Sequence, residues 1–199
     1  MQFPSNSLQT YSLAMQTPRE LFEADLKTAL VAAAKAYDRR RFVVVGSASI
    51  LASHPDAPGY LRLSADIDMF PLRKLKTETF KPGDELVGQA SQFEDEHAFY
   101  VERVGDWTML SQPDGWLDRC VAFEIDGITG HCLDPIDLAY NKTEAGRKKD
   151  IDFVAGMINE GIISREELAD FIQEGCPHPD LLPTVQKHFK LVCEELDEV

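Results

Sequence analysis

A strand-like run, Val43-Val44-Val45, closes on Gly46-Ser47 and is followed, eighteen residues later, by Asp66-Ile67-Asp68. These two segments constrain the fold more than any other part of the chain. Successive strand side chains point to opposite faces, so Ser64, Asp66 and Asp68 share one face while Leu63, Ala65, Ile67 and Met69 share the other. Acids near a strand end are often simply solvated, but aspartate is depleted in strands and like charges on one face repel, so the pair also suits a positive ligand. With Cα atoms roughly 6.5–7 Å apart, both carboxylates can converge on one Mg²⁺, or on two ions about 3.5–4 Å apart. Glycine lets backbone N–H groups approach a phosphate closely, and the serine hydroxyl with a following helix start adds donors. A glycine ending a strand is common for steric reasons alone, so the turn gains meaning from the acids beside it. The combination suits phosphoryl or nucleotidyl transfer. No GxxxxGK[ST], GxGxxG or HExxH stretch is present, which removes the commonest competing phosphate and zinc motifs.

The chain's 199 residues, 44% of them hydrophobic, suffice for one core and not obviously for two. The expected organisation is a loose segment over 1–16, an α/β core over 17–132 and a helical part over 133–199 packed on that core. Thr17-Pro18-Arg19-Glu20 reads as a capping box with proline at the first helical position, opening a helix to about Asp38 whose apolar positions include Leu26, Ala29, Leu30 and Ala33. A strand over Phe42 to Val45 follows, then a short helix over Ala48 to Ser53, a turn over His54 to Gly59, and the strand carrying the acids. Beyond these, the pattern predicts a helix over Asp84 to Gln92 and β pieces at Ala98 to Val104, Trp107 to Leu110 and Arg119 to Asp126. From Asp134 onward it is helical, with breaks at Gly161, at Ser164 as an N-cap, and at Cys176-Pro177-His178-Pro179. The fold class is therefore α/β, of the mixed α+β kind.

Acids outnumber bases 34 to 20, giving a net charge of −14 and a pI near 4.7. Nucleic-acid affinity comes mainly from lysine and arginine on phosphates, so this balance opposes a long nucleic-acid partner and favours a protein or small-molecule acceptor. Cys120, Cys132, Cys176 and Cys193 lie far apart with no signal-like segment ahead of them, and the expectation is reduced thiols in the cytoplasm. Cys176, His178, His188 and Cys193 lack the paired short spacing of structural zinc sites. No apolar run approaches the roughly 20 residues of a membrane span, so no membrane partner is expected.

The hydrophobic-Gly-Ser turn at Gly46-Ser47, followed by the acid-hydrophobic-acid strand Asp66-Ile67-Asp68, resembles the signature of the nucleotidyltransferase-fold superfamily. The stretch Cys132-Leu133-Asp134-Pro135-Ile136-Asp137-Leu138, then Lys142 and Ala145 to Phe153, is similar to the closing helices of a bacterial branch akin to abortive-infection toxins and to minimal nucleotidyltransferases of toxin–antitoxin pairs. The resemblance covers about Phe42 to Ile172. It implies a mixed sheet with flanking helices, Mg²⁺ held by Asp66 and Asp68, a nucleoside triphosphate as substrate, and phosphates positioned by Gly46 and Ser47. It also implies a third carboxylate on a later strand that activates the acceptor hydroxyl. On strand Arg119 to Asp126, Glu124 and Asp126 share the polar face, which makes Glu124 the first candidate and Asp126 the second; Glu94-Asp95-Glu96-His97 is another source of an acid. Lys142 and Lys149, seven residues apart on the helix after Pro135 and so nearly eclipsed, with Arg147 beside them, present cations to a triphosphate. A cognate protein partner fits the same resemblance. The contrasting expectation is a non-catalytic nucleotide-binding or interaction module of the same fold.

Overall fold

The computed structural model of the protein describes residues 17–72 and 83–197; the expected loose segment over 1–16 lies outside the described residues. The elements in chain order are β1 (Arg19–Glu20), α1 (Glu23–Tyr37), β2 (Arg41–Val44), β3 (Leu63–Ser64), β4 (Asp66–Pro71), α2 (Asp84–Val87), α3 (Gln92–His97), β5 (Tyr100–Arg103), α4 (Trp116–Arg119), β6 (Val121–Ile125), β7 (Ile128–Cys132), α5 (Pro135–Ala145), α6 (Lys148–Asn159), α7 (Arg165–Gly175) and α8 (Leu182–Asp197). Phe42, Val43 and Val44 are fully buried, as a strand covered on both faces must be. That strand, β2, sits at the centre of a five-stranded mixed sheet of order β5-β4-β2-β7-β6. It pairs antiparallel with β4 and parallel with β7, and β4 in turn pairs parallel with β5. Helix α1 lies against the sheet through Leu30, whose methyls meet the backbone of Gly130 on β7; a Cβ at Gly130 would stand 3.0 Å from Leu30 Cδ1. The mixed α/β class expected from the sequence is the class observed.

Helix α1 begins later than Thr17-Pro18-Arg19-Glu20 predicts. Arg19 and Glu20 instead form a strand paired with Ser64 and Leu63, and the cap is the Asp25 carboxylate, which accepts from Phe22 N at 2.7 Å. The same carboxylate receives both Arg19 Nη atoms, at 3.1 and 2.7 Å, so the basic residue read as helical holds the strand to the helix start. The long connection between the two motifs runs through two short 3₁₀ turns, Ser47–Ala52 and Gly59–Leu61, anchored by buried Leu51 and Leu61.

The helix expected over Asp84 to Gln92 is helical only over Asp84–Val87, and a second helix opens at Gln92, because Gly88 is extended, Ala90 takes a positive φ of 62°, and Ser91 caps α3 by accepting from Glu94 N at 3.3 Å. Trp107 to Leu110, expected as strand, forms a 3₁₀ turn spanning Asp106–Met109 with Leu110 at its C-terminal cap, and the Thr108 hydroxyl donates to Gly105 O at 2.7 Å. Strand β7 escaped the sequence reading although its hairpin signal is present. Asp126 and Gly127 both have positive φ, 50° and 71°, the backbone that a tight Asp-Gly hairpin requires between β6 and β7.

The C-terminal helices pack on one another, and α5 also touches the 3₁₀ turn that follows Gly46. Asp134 caps α5 by accepting from Ile136 N at 3.0 Å, and Ser164 caps α7 in a reciprocal box with Glu167. Helix α5 stops at Gly146, whose φ of 62° is left-handed. Lys142 and Lys149 therefore belong to two helices, α5 and α6, and are not eclipsed on one. Their approach to a common point depends on the bend between those helices.

Candidate active site

Because β4 and β5 run parallel in register, Asp68 lies directly opposite Glu102 and Asp66 opposite Tyr100. Side chains of paired residues project to the same face, so all four converge. Carboxylate oxygens of Asp66, Asp68 and Glu102 lie within 4.8 Å of one another. Asp66 is oriented by its neighbours: Ser64 Oγ donates to Oδ1 at 2.8 Å, and Tyr100 OH to Oδ2 at 3.4 Å. Asp68 is tied to the end of β2 through its backbone, with Val45 N donating to Asp68 O at 2.9 Å.

Gly46 is the residue that lets this happen. Its φ of 66° is left-handed, and a Cβ there would stand 2.5 Å from Asp68 Oδ2. Any other residue would meet backbone strain and the acid at once. Ser47 opens the 3₁₀ turn beyond it, and the buried Ser49 hydroxyl donates back to Gly46 O at 2.8 Å, fixing the turn.

Crowding three acids has an electrostatic cost that appears at Asp68. Burial pushes its carboxyl up to about 7, the Asp66 and Glu102 carboxylates add to the rise, and Lys142 and Lys149 oppose it. Glu102 is also raised, by partial desolvation and by the adjoining Asp66. A polyvalent cation is what would relieve this arrangement.

The cations on the helical side are arranged unequally. Lys142 is nearly buried, with Nζ 3.3 Å from Asp150 Oδ1 and 4.9 Å from the centre of the Phe153 ring. Burial lowers its pKa, against the pull of Asp150. Arg147 is exposed and gives its Nε and Nη2 to the same Asp150 carboxylate. Burial works to raise Asp150, but Arg147 and Lys142 overcome it and hold that carboxyl below its ordinary range. Lys149 is exposed, acts on Asp68, and makes no ion pair among the described residues.

A family profile described as a nucleotidyltransferase of unknown function, DUF6036, matches residues 19–175. The chain belongs to that family. No curated protein and no solved structure matches it. For this member of the nucleotidyltransferase family, the match spans all of the sheet and the helices α5 to α7, so it covers both the acids and the cations described above.

Of the residues singled out from the sequence, Gly46, Asp66 and Asp68 meet at one point, Ser47 stands beside them, and Lys142 and Lys149 act on Asp68 from the helical side. Glu124 stands apart. It lies on β6, the far edge of the sheet from β5, where its Oε1 accepts from Thr129 Oγ1 at 2.8 Å. Asp126 lies in the β6–β7 turn. Glu94 is occupied within α3's own cap, accepting from Ala90 N. Cys176 accepts from Tyr140 OH at 3.4 Å, and the three-carboxylate group is the cluster of metal-ligand type among the described residues; no group of that type includes Cys176, His178, His188 or Cys193. The acid that joins the pair, Glu102, lay within the expected strand Ala98 to Val104. Its signal was position in register opposite Asp68, which requires knowing that β5 is the neighbour of β4.

Among the described residues, no helix is long and apolar enough to cross a membrane.

Proposed function

We propose that the protein transfers a nucleoside monophosphate from a nucleoside triphosphate to an acceptor hydroxyl on a protein, an RNA or a small molecule, with Mg²⁺ bound at Asp66 and Asp68. The observation that carries this reading is the convergence of three carboxylates, Asp66, Asp68 and Glu102, beside the left-handed turn at Gly46. The donor set fits the ion: Mg²⁺ prefers hard oxygen ligands and takes a few carboxylates with phosphate and water completing the shell. Bound there, Mg²⁺ would offset triphosphate charge and polarise the phosphoryl oxygens.

The chain's own residues supply the rest. Lys149, free of ion pairs among the described residues, is available to the triphosphate as a point charge, and Lys142 lends positive potential from a less exposed position. Gly46 and Ser47 offer backbone and hydroxyl donors to phosphate oxygens. The acceptor oxygen forms a bond to the α-phosphorus as the bond to the bridging oxygen breaks, and pyrophosphate leaves. Glu102, opposite Asp68 and open to solvent, would join Asp66 and Asp68 as a ligand through one carboxylate oxygen and accept the acceptor's proton on the other. In this assignment Glu102 takes the part that the sequence alone gave to Glu124.

Thermal unfolding tests the reading. Wild-type protein is heated with ATP, GTP, CTP or UTP at millimolar concentration, with and without Mg²⁺, beside an Asp66→Asn/Asp68→Asn variant. At least one nucleotide is expected to raise Tm only when Mg²⁺ is present and only in the wild type. If no nucleotide shifts the wild type, the proposal fails.

A further inference from the structure

Nine of the described residues are arginines, and six of them form ion pairs: Arg19 with Asp25, Arg62 with Glu20, Arg103 with Asp84, Arg119 with Asp137, Arg147 with Asp150 and Arg165 with Asp197. The three that do not are consecutive. Arg39 Nη1 donates to Asp38 O at 2.6 Å, Arg40 Nη1 to Asp126 O at 3.3 Å, and Arg41 Nη2 lies 3.2 Å from His131 Nε2. All three are exposed, and none has a carboxylate partner among the described residues. In a chain with 34 acids against 20 bases, three adjacent guanidiniums with no carboxylate ion pair among the described residues concentrate positive charge locally, beside the acids Asp38 and Asp126.

Arg39 and Arg40 border an open groove of about 840 Å³ between the last turns of α1 and the β6–β7 hairpin. Val31, Ala34 and Ile128 supply apolar lining, with Lys35 adding a further cation to the rim. Strand β6 beside it is the edge of the sheet, with one side of its backbone unpaired among the described residues. The groove is remote from the carboxylate cluster. Arg41 O accepts from Leu72 N, beyond the end of β4, whereas the acids stand at its start, so roughly four residues of strand, about 13 Å, intervene.

We propose that this groove binds an acidic, partly apolar peptide segment of a protein partner, its carboxylates on Arg39, Arg40 and Lys35 and its apolar side chains on Val31, Ala34 and Ile128. Guanidinium groups match carboxylates in bidentate geometry, and an apolar lining with a cationic rim complements alternating acidic and apolar side chains. Lengthy nucleic acid is the poorer fit. A phosphate backbone carries a charge at every residue, so it would meet Asp38 and Asp126 as well as the three cations, and it brings no apolar side chain to Val31, Ala34 and Ile128, whereas a peptide can place a few carboxylates on Lys35, Arg39 and Arg40 alone. This inference is independent of the proposed transfer reaction.

A randomised twelve-residue peptide display library, panned on the wild-type protein, tests it, with the selected peptides then synthesised and titrated by fluorescence anisotropy. Selected sequences are expected to be rich in Asp and Glu interspersed with Leu, Ile, Val or Phe. Their binding is expected to weaken at least tenfold on Arg39→Gln/Arg40→Gln and on Lys35→Glu, and to fall with added salt. Both variants alter exposed side chains and are expected to keep the Mg²⁺-dependent nucleotide response. Selection without acidic enrichment, equal binding to wild type and variants, or an Arg39- and Arg40-dependent twelve-nucleotide RNA that binds more tightly than the peptides would each overturn the proposal.

Discussion

Gly46 and Asp68 are best understood together, because each sets the other's environment. Gly46→Ala places a methyl group against Asp68 Oδ2 on a left-handed backbone. The expected result is a loss of about 1–3 kcal/mol in urea unfolding and a weakened Mg²⁺-dependent nucleotide shift. Asp68 itself is held near 7, against about 4 in an unfolded chain. A raised acid means that the folded state retains a proton that the unfolded state has released, so stability falls as pH rises from about 4 to about 7. Asp68→Asn is expected to flatten that fall in metal-free protein, and at pH 8 to be the more stable of the two by about 1–3 kcal/mol while losing the nucleotide response. Equal pH dependence in both proteins, measured by urea unfolding at pH 5 and pH 8, would contradict this. At this scale the sequence was informative: the period-two spacing of Asp66 and Asp68 and the glycine before Ser47 were readable because each is a local rule. The height of Asp68's pKa was not, since it arises from burial and from Glu102 on a different strand.

The joint between α5 and α6 is the element on which the cations depend. Gly146 ends α5 in a left-handed conformation, and a side chain there would collide with the His188 ring of α8. Fully buried Asp150, at the start of α6, gathers Lys142 from α5 and Arg147 from the joint itself. Removing it leaves a nearly buried ammonium without a partner, so Asp150→Ala is expected to cost about 3–5 kcal/mol by chemical unfolding, whereas the exposed pair Lys148–Asp152 is expected to cost under about 1 kcal/mol when broken. Equal small losses would show that Asp150 does not organise the joint. Elements with strong local signals were legible: the Ser164 cap, the strand Phe42 to Val45, the helical C-terminal part. Those decided by tertiary pairing were not. Arg19 and Glu20 became strand because Ser64 and Leu63 were available to pair with them, and Lys142 and Lys149 were separated because Gly146 acts as a stop.

Across the whole molecule, the sheet order β5-β4-β2-β7-β6 decides which acid joins the pair. Glu124 was the acid that the alternation of its own strand singled out, and Glu102, within the expected strand Ala98 to Val104, was not considered. Topology places β5 beside the paired aspartates and β6 three strands away from β4. The same sheet separates the carboxylate cluster by Gly46 from the three consecutive arginines at the start of β2, which have no ion pair among the described residues. Net charge alone conceals the second of these. The claim on which the account turns is that Asp66, Asp68 and Glu102 form one divalent-cation site. Titration of the protein with Mn²⁺, followed by the electron paramagnetic resonance of the free ion, tests it most directly on wild type, Glu102→Gln and Glu124→Gln. The account predicts that Glu102→Gln weakens binding about tenfold or more while Glu124→Gln binds as the wild type does. Unchanged affinity in Glu102→Gln, or a loss confined to Glu124→Gln, would contradict it.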